Sequence, residues 1–367
     1  MNTHTARQPT THHQVAVVGG GQAGLATSAE LARRDVDHVV LDAAPEVGHS
    51  WRTRWDSLRL FTPAAYSSLP GMPFPGPRWH HPTKDEVADY LQAYADAFDL
   101  PIRHSSPVRR VTGGDGGFEL DTATGLVTAD QVVVATGPFQ TPTVPGVGRS
   151  LDETVVQIHS SEYRNPGQLP SGGTVLVVGA GNSGVQIAAE LASTNKVHLA
   201  IGHSNRHVPN RILGRDLFWW LTRAGMLTAA PESRQGRRMQ SMELVIGTSR
   251  RELDRLGVVS RHRVDGAEGN RVRFADARFL EVDAVVWATG FRADHRFVEV
   301  PDALDATGRI RQDGGVCPVE GLFTVGQPWQ TNRGSALLGF VGADASTIAE
   351  RLAGSGRTAR RQRSLAR

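Results

Sequence analysis

Two glycine patterns, Gly19-x-Gly21-x-x-Gly24 and Gly179-x-Gly181-x-x-Gly184, recur in this chain with 160 positions between their first glycines (19 to 179). Each comes after an apolar run, Val15-Ala16-Val17-Val18 or Val175-Leu176-Val177-Val178, and each opens an alanine-rich stretch with helical character. In that context the first glycine permits a tight turn. The second lets backbone approach a pyrophosphate, and the third lets helix pack on strand. The helix N-terminus then offers free N–H groups and a positive dipole end to phosphate. Two such motifs imply two dinucleotides, and a chain that holds two is most simply a flavoprotein reduced by a nicotinamide.

The strand downstream of each motif separates the two ligands. The first, His38-Val39-Val40-Leu41, ends in Asp42, 23 positions beyond Gly19. A carboxylate there accepts hydrogen bonds from an adenosine ribose and repels a 2′-phosphate. The second, Val197-His198-Leu199-Ala200-Ile201, ends without an acid and runs into Gly202-His203-Ser204-Asn205-Arg206-His207. Arginine pairs with a 2′-phosphate through a planar fork of donors. FAD is therefore expected at the first site and NADPH at the second, with Arg206 on the 2′-phosphate and Arg211 and Arg215 as nearby competitors.

The elements that must position these loops repeat as well. Downstream of each motif lies an apolar strand ending in Ala-Thr-Gly: Val132-Val133-Val134-Ala135-Thr136-Gly137 and Val285-Val286-Trp287-Ala288-Thr289-Gly290. Before each lies an alternating stretch with turn residues, Phe118 to Thr128 and Arg271 to Glu281, that predicts a hairpin. The fold class is α/β, with two doubly wound Rossmann-type domains and the NADPH domain inserted into the FAD domain. The expected division is 14–165 with 285–353 for FAD and 166–284 for NADPH, flanked by disordered tails at 1–13 and 354–367. Pro63 to Pro82 is rich in Pro, Gly and aromatics and predicts loops over a ligand. Thr83-Lys84-Asp85-Glu86 reads as a capping box, with Val87, Leu91, Tyr94 and Phe98 after it at core-facing helical spacing. A last helix is expected at about 342–352. The Arg-rich segment His207 to Gly257 reads as a lid, a substrate wall or a dimer surface, so a homodimer is one possibility.

Composition closes off other classes. The 367 residues suffice for two or three domains. Mean hydropathy of −0.29 and the absence of any long apolar run predict no membrane span. The polar start, Met1 to His13, lacks a secretory h-region, so a cytoplasmic location is expected. The basic residues are scattered outside the Arg357–Arg367 tail and form no nucleic-acid reading module. His12, His13, His80 and His81 lack the spacing of metal ligands. With Cys317 as the single cysteine, the chain has no dithiol relay of its own and no internal disulfide.

These residues together resemble the flavin-containing monooxygenases, a class that includes Baeyer–Villiger enzymes and plant indole-pyruvate monooxygenases. The matching stretches are Gly19–Gly24, Gly48-His49-Ser50-Trp51-Arg52, His159-Ser160-Ser161-Glu162-Tyr163, Gly179–Gly184 and Ala288-Thr289-Gly290-Phe291. His159 and Tyr163 fit the second half of the family's linker pattern Phe-x-Gly-x-x-x-His-x-x-x-Tyr, whereas Glu153 and Val155 break its first half. Ser57–Pro63, Tyr66–Gly71, Gly214–Leu217 and Gln327–Gln330 are similar to a bacterial branch associated with arsenic-resistance operons.

The resemblance implies hydride transfer from NADPH to FAD, reaction with dioxygen to a C4a-hydroperoxyflavin, and oxygen transfer to a small nucleophilic substrate. It places Gly19, Gly21, Gly24, Asp42, Ser50, Trp51, Arg59, Val108 and Gly137 around FAD. Gly179, Gly181, Asn182, Ser183, Gly184 and Arg206 would lie around NADPH, with Ala288, Thr289 and Gly290 at the second Ala-Thr-Gly turn. Many members carry an Asn beside the flavin. Leu58 to Phe74 has none, leaving Thr62, Ser67 or Ser68 to supply a hydroxyl. That gap and the broken linker pattern keep open an NADPH-dependent reductase or oxidase that releases hydrogen peroxide. A cofactor-binding sensor without turnover is a third reading.

Overall fold

Nine residues of extended backbone, β1 (Thr10–Val18), occupy the centre of the first sheet. The computed structural model describes residues 10–114, 116–203, 206–242 and 244–365, with side-chain surroundings through residue 354. β1 leads into α1 (Gln22–Ala32), β2 (His38–Leu41), α2 (His49–Arg52) and α3 (Lys84–Ala97). β3 (Ile102–Arg103), β4 (Val108–Gly114), β5 (Gly117–Thr122) and β6 (Gly125–Val134) complete most of the sheet, in the order β3-β2-β1-β6-β5-β4. A short β7 (Thr141–Pro142) comes next.

The second sheet is built from β8 (Val156–His159), β9 (Thr174–Val178) and, after α4 (Asn182–Leu191), β10 (Lys196–Ala200). An excursion then contains β11 (Arg206–Val208), β12 (Arg211–Ile212), β13 (Arg215–Asp216), α5 (Leu217–Arg223), α6 (Arg234–Gln240), β14 (Leu244–Ile246) and α7 (Arg250–Arg255). β15 (Val259–Arg261) returns to the sheet. β16 (Val264–Glu268), β17 (Arg271–Phe274) and β18 (Phe279–Glu281) form an antiparallel layer, and β19 (Ala284–Trp287) closes the order β15-β10-β9-β19-β8. β20 (Phe291–Arg292) pairs with β7, β21 (Leu322–Thr324) joins β6 in the first sheet, and α8 (Val341–Leu365) is the last element.

Both sheets are covered on both faces, so the central stretches Val15–Val18, Val39–Leu41, Val132–Val134, Val175–Val178 and Ala284–Trp287 are continuous apolar runs. Val15, Val17 and Val40 enter a core shared with α1 and α8, while Ala16, Val18, Val39 and Leu41 enter one roofed by residues 298–322. In the second sheet Val175 and Val177 join the α4 side; Leu176 and Val178 face Val272 and Phe274 of the antiparallel layer. Cys317 is buried in the first roof, and burial pushes its thiol up.

The two expected hairpins are present as β5–β6 and β17–β18. The capping box is present too: Glu86 N donates to Thr83 Oγ1 at 3.2 Å and Thr83 N to Glu86 Oε2 at 2.7 Å. Three boundaries differ from expectation. β1 starts at Thr10, so Thr10–His13 are strand, paired with Leu126–Ala129; residues 1–9 lie outside the described residues. β8 and β19 pair within the second sheet, which therefore runs from Val156 to Trp287. α8 runs through Leu365, where a disordered tail from 354 was expected; Ala345, Ile348, Ala349 and Leu352 of its first half lie in the core shared with α1, and residues 366 and 367 lie outside the described residues. Among the described residues no helix is long and apolar enough to cross a membrane.

Four histidines, His38, His159, His198 and His295, have pKa values lowered chiefly by burial. The unfolded chain takes up their protons first as pH falls below the ordinary value of about 6.5. Their stabilising effect is thus intact above that pH and lost below it. Thermal melts should show Tm falling between pH 7 and pH 5, and a flat Tm across that interval contradicts this account.

Candidate functional site

The glycines of each motif divide by task. Gly19 has φ +107°, and a Cβ there would lie 2.8 Å from Ala135 O. A Cβ on Gly24 would lie 1.9 Å from Gly19 O, a contact that only glycine permits. Gly21 is different: a Cβ there meets no protein atom within 4 Å, so its backbone faces open space. The first and third glycines of the second motif repeat these contacts. Gly179 has φ +107° with Ala288 O at 2.3 Å from its Cβ position, and Gly184 has Gly179 O at 1.8 Å. Each motif is thus seated on the alanine of its own Ala-Thr-Gly turn. Gly21 and Gly181 cap α1 and α4 without any side-chain cap, and neither first turn carries an acid. Unfilled N–H groups at such a terminus suit an anion.

Around the first cradle, Asp42 ends β2 with its carboxylate against Gly20, and its Oδ1 accepts from Ala44 N at 3.3 Å. Ser106 N donates to Asp42 O at 2.7 Å, which brings the start of β4, Val108, alongside. Gly137 (φ +67°) leaves open space beyond β6. Gly326 abuts Ala23 in the first turn of α1, and after it Gln327 and Gln330 bury Nε2 groups that have no protein partner. Open backbone, an acid placed for a ribose and two unpaired buried donors fit a dinucleotide here. Gln327 and Gln330 escaped notice as site residues. The available signal was an apolar strand, Leu322–Val325, ending in glycine beside α1.

The residues expected beside the flavin are placed less uniformly. Gly48 (φ +78°) starts α2 tight against Ala88 of α3, leaving Ser50 exposed and Trp51 packed on the core. Arg59 is exposed, with Nη1 on His81 O and its own carbonyl accepting from Gln186 of α4. Of the three candidate hydroxyls, Ser67 Oγ donates within its own loop, to Thr62 Oγ1 at 3.1 Å and Pro63 O at 3.1 Å. Ser68 Oγ accepts from Phe74 N at 2.9 Å. All three serve the loop that carries them.

His159 is a structural tie. Its Nδ1 accepts from Ser161 N at 3.1 Å, so Nε2 carries the proton and donates to Gly290 O at 3.1 Å. Burial lowers its pKa and keeps this neutral form. Ala288 N bonds Val178 O, and Thr289 Oγ1 bonds Thr143 O, which fixes the second Ala-Thr-Gly turn. Tyr163 is fully buried, donates to Glu190 Oε2 of α4 at 2.9 Å, and is pushed upward in pKa mainly by burial. Arg54, which sequence reasoning passed over, lies half-buried with its guanidinium 5.4 Å from the Phe291 ring centre.

At the second cradle Ser183 lies half-buried in the first turn of α4. The Asn182 side chain turns to β14, not to the open cradle: Nδ2 donates to Leu244 O at 3.2 Å and Oδ1 accepts from Ile246 N at 2.9 Å. Arg206 opens β11 exposed, and among the described residues its side chain makes only a long contact of 3.6 Å from Nη1 to Met242 Sδ. Its competitors are engaged elsewhere: Arg211 bonds Gly214 O, and Arg215 stacks 4.4 Å above Trp219. The segment His207 to Gly257, read as a lid, a substrate wall or a dimer surface, packs against the first half of the chain. Leu217, Phe218, Leu221 and Ile246 form one cluster with Phe61, Tyr66 and Phe340 from around the first site.

Comparison with known proteins agrees with this geometry. Residues 16–212 match the family described as pyridine nucleotide-disulphide oxidoreductase. An uncharacterized CzcO-like oxidoreductase of Geobacillus kaustophilus is 42% identical over 91% of this chain and 96% of its own. The indole-3-pyruvate monooxygenase YUCCA1 of Oryza sativa is 30% identical over 91% of this chain and 90% of its own. A flavin-containing monooxygenase of Stenotrophomonas maltophilia superposes with a TM-score of 0.79 at 26% identity, covering 94% of this chain and 99% of that one. The chain belongs to the pyridine nucleotide-disulphide oxidoreductase family, as a flavin-dependent oxidoreductase of the flavin-monooxygenase kind.

Proposed function

We propose that this protein is an NADPH-driven monooxygenase that places one atom of dioxygen on a small nucleophilic substrate and releases the other as water. The balance is NADPH, a proton, dioxygen and substrate giving NADP⁺, oxygenated substrate and water. The observation that carries this reading is the pair of glycine motifs, each opening a helix with no side-chain cap, in a chain whose one cysteine is buried. Without a dithiol relay, electrons that enter from a nicotinamide leave to an external acceptor, which supports dioxygen. FAD supplies the hydride-accepting and oxygen-reacting chemistry; the protein supplies position and polarity.

Gly21 gives the FAD pyrophosphate its backbone approach, Asp42 receives the ribose hydroxyls, and Gln327 and Gln330 offer their free amides. Gly181 and the first turn of α4 take the phosphates of NADPH. Arg206 takes the 2′-phosphate, a choice supported by the engagement of Arg211 and Arg215. His159 and Tyr163 hold the linker and act as neither acid nor base, which the neutral tautomer and buried phenol support. The in-loop bonds of Thr62, Ser67 and Ser68 favour a second reading, a peroxide-releasing NADPH oxidase.

Oxygen uptake, NADPH consumption and peroxide are measured together across a panel of sulfides, amines and ketones. Product formed one-to-one with NADPH supports the monooxygenase. Stoichiometric peroxide with every substrate establishes the oxidase. The cradle assignment has its own test, because Gly21→Ala meets open space whereas Gly24→Ala meets Gly19 O. The Gly21 variant should fold within about 0.5 kcal/mol of wild type yet lose FAD affinity, while the Gly24 variant loses about 2 kcal/mol of stability or more. Arg206→Ala should raise KM for NADPH roughly ten- to hundredfold, since a charged hydrogen bond is worth about 1.5–3 kcal/mol, with little change for NADH.

A further inference from the structure

We propose that Asn182 is a positioning residue for the choice of nicotinamide: its amide holds β14, and through β14 the strand that carries Arg206, without touching phosphate itself. This rests on the reading of Arg206 given above. The geometry is two-point. Leu244 O accepts from Asn182 Nδ2 at 3.2 Å and Ile246 N donates to Oδ1 at 2.9 Å, so the amide grips the residues on both sides of Val245. A backbone N–H can only donate, which fixes the orientation of the amide.

β14 has little else to hold it in register. Among the described residues it pairs only with β11, in parallel, through Arg206↔Leu244, His207↔Val245 and Val208↔Ile246. A two-stranded sheet of this length is marginal on its own. β14 is held from outside, by Asn182 and by its side chains. Val245 is fully buried in the core that contains α4, whereas Ile246 enters the aromatic cluster of Phe61, Tyr66 and Phe218 beside the first site. Asn182 is the first residue of α4, directly after Gly181. The helix terminus that receives the pyrophosphate therefore also sets the height of the strand whose partner begins at Arg206. Loss of the amide frees β14 and β11 to shift together, and only the ligand group read by Arg206 registers the change.

The test uses the full-length, FAD-loaded enzyme. KM for NADPH and NADH is measured for wild type, N182A, R206A and the double variant. N182A should raise KM for NADPH roughly three- to tenfold and KM for NADH less than about twofold, and the double variant should match the NADPH/NADH ratio of R206A. Hydrogen exchange gives a readout independent of turnover: the Ile246 amide should lose protection in N182A. Equal increases for both nucleotides mean that Asn182 serves the shared pyrophosphate and overturn the inference. So does unchanged protection of Ile246. A ratio left unmoved by R206A overturns the Arg206 assignment itself, which separates the two failures. If N182A is recovered without flavin, N182S is read by the same ratio and the same exchange experiment.

Discussion

The closest approach in each half of the molecule, third glycine against first-glycine carbonyl, is the contact on which the rest depends. At Gly24 and Gly184 even a single methyl would overlap a backbone oxygen. With that contact made, α1 and α4 leave the sheets at an angle that aims their N-termini along the loops after β1 and β9. The same contact seats Gly19 on Ala135 and Gly179 on Ala288. Strand, turn and helix thereby become one rigid unit with its donors pointing outward. Positional precision of this kind costs apolar burial nothing, because the strands beneath are covered on both faces.

Side-chain hydrogen bonds of differing burial tie the linker to both halves. His159 is held uncharged and links the linker to Gly290; Tyr163 reaches Glu190 on α4; Asn165 Nδ2 donates to Asp56 Oδ2 at 2.9 Å. Buried polar groups are tolerated when hydrogen-bonded, and losing one partner costs more than the bond itself contributes. The departures from the family's linker pattern at Glu153 and Val155 precede β8 and leave the His159 and Tyr163 ties intact.

The excursion between β10 and β15 gives the second half a role at the first site. Its apolar residues pack on Phe61, Tyr66 and Phe340, His81 lies 3.4 Å from Asp216, and Gly334 N donates to Leu227 O at 3.0 Å. One strand, β14, touches the nicotinamide-side helix and the aromatic wall at once.

Much of this was legible in the sequence because it is local. The glycine spacings, Asp42 at its strand end, both hairpins and the Thr83–Glu86 capping box depend on residues within a few positions of one another, where periodicity and turn chemistry act. The sequence by itself determined the fold class, the two cradles and the absence of a dithiol relay. Tertiary structure decided the rest. Only the three-dimensional pairing put β8 and β19 in the second sheet, since an apolar strand does not name its neighbour. A backbone 62 positions away claimed the amide of Asn182. A short polar side chain at a helix start has many possible partners. The one it takes is set by which distant strand the fold brings within about 3 Å, the reach of a hydrogen bond, and no local pattern carries that information.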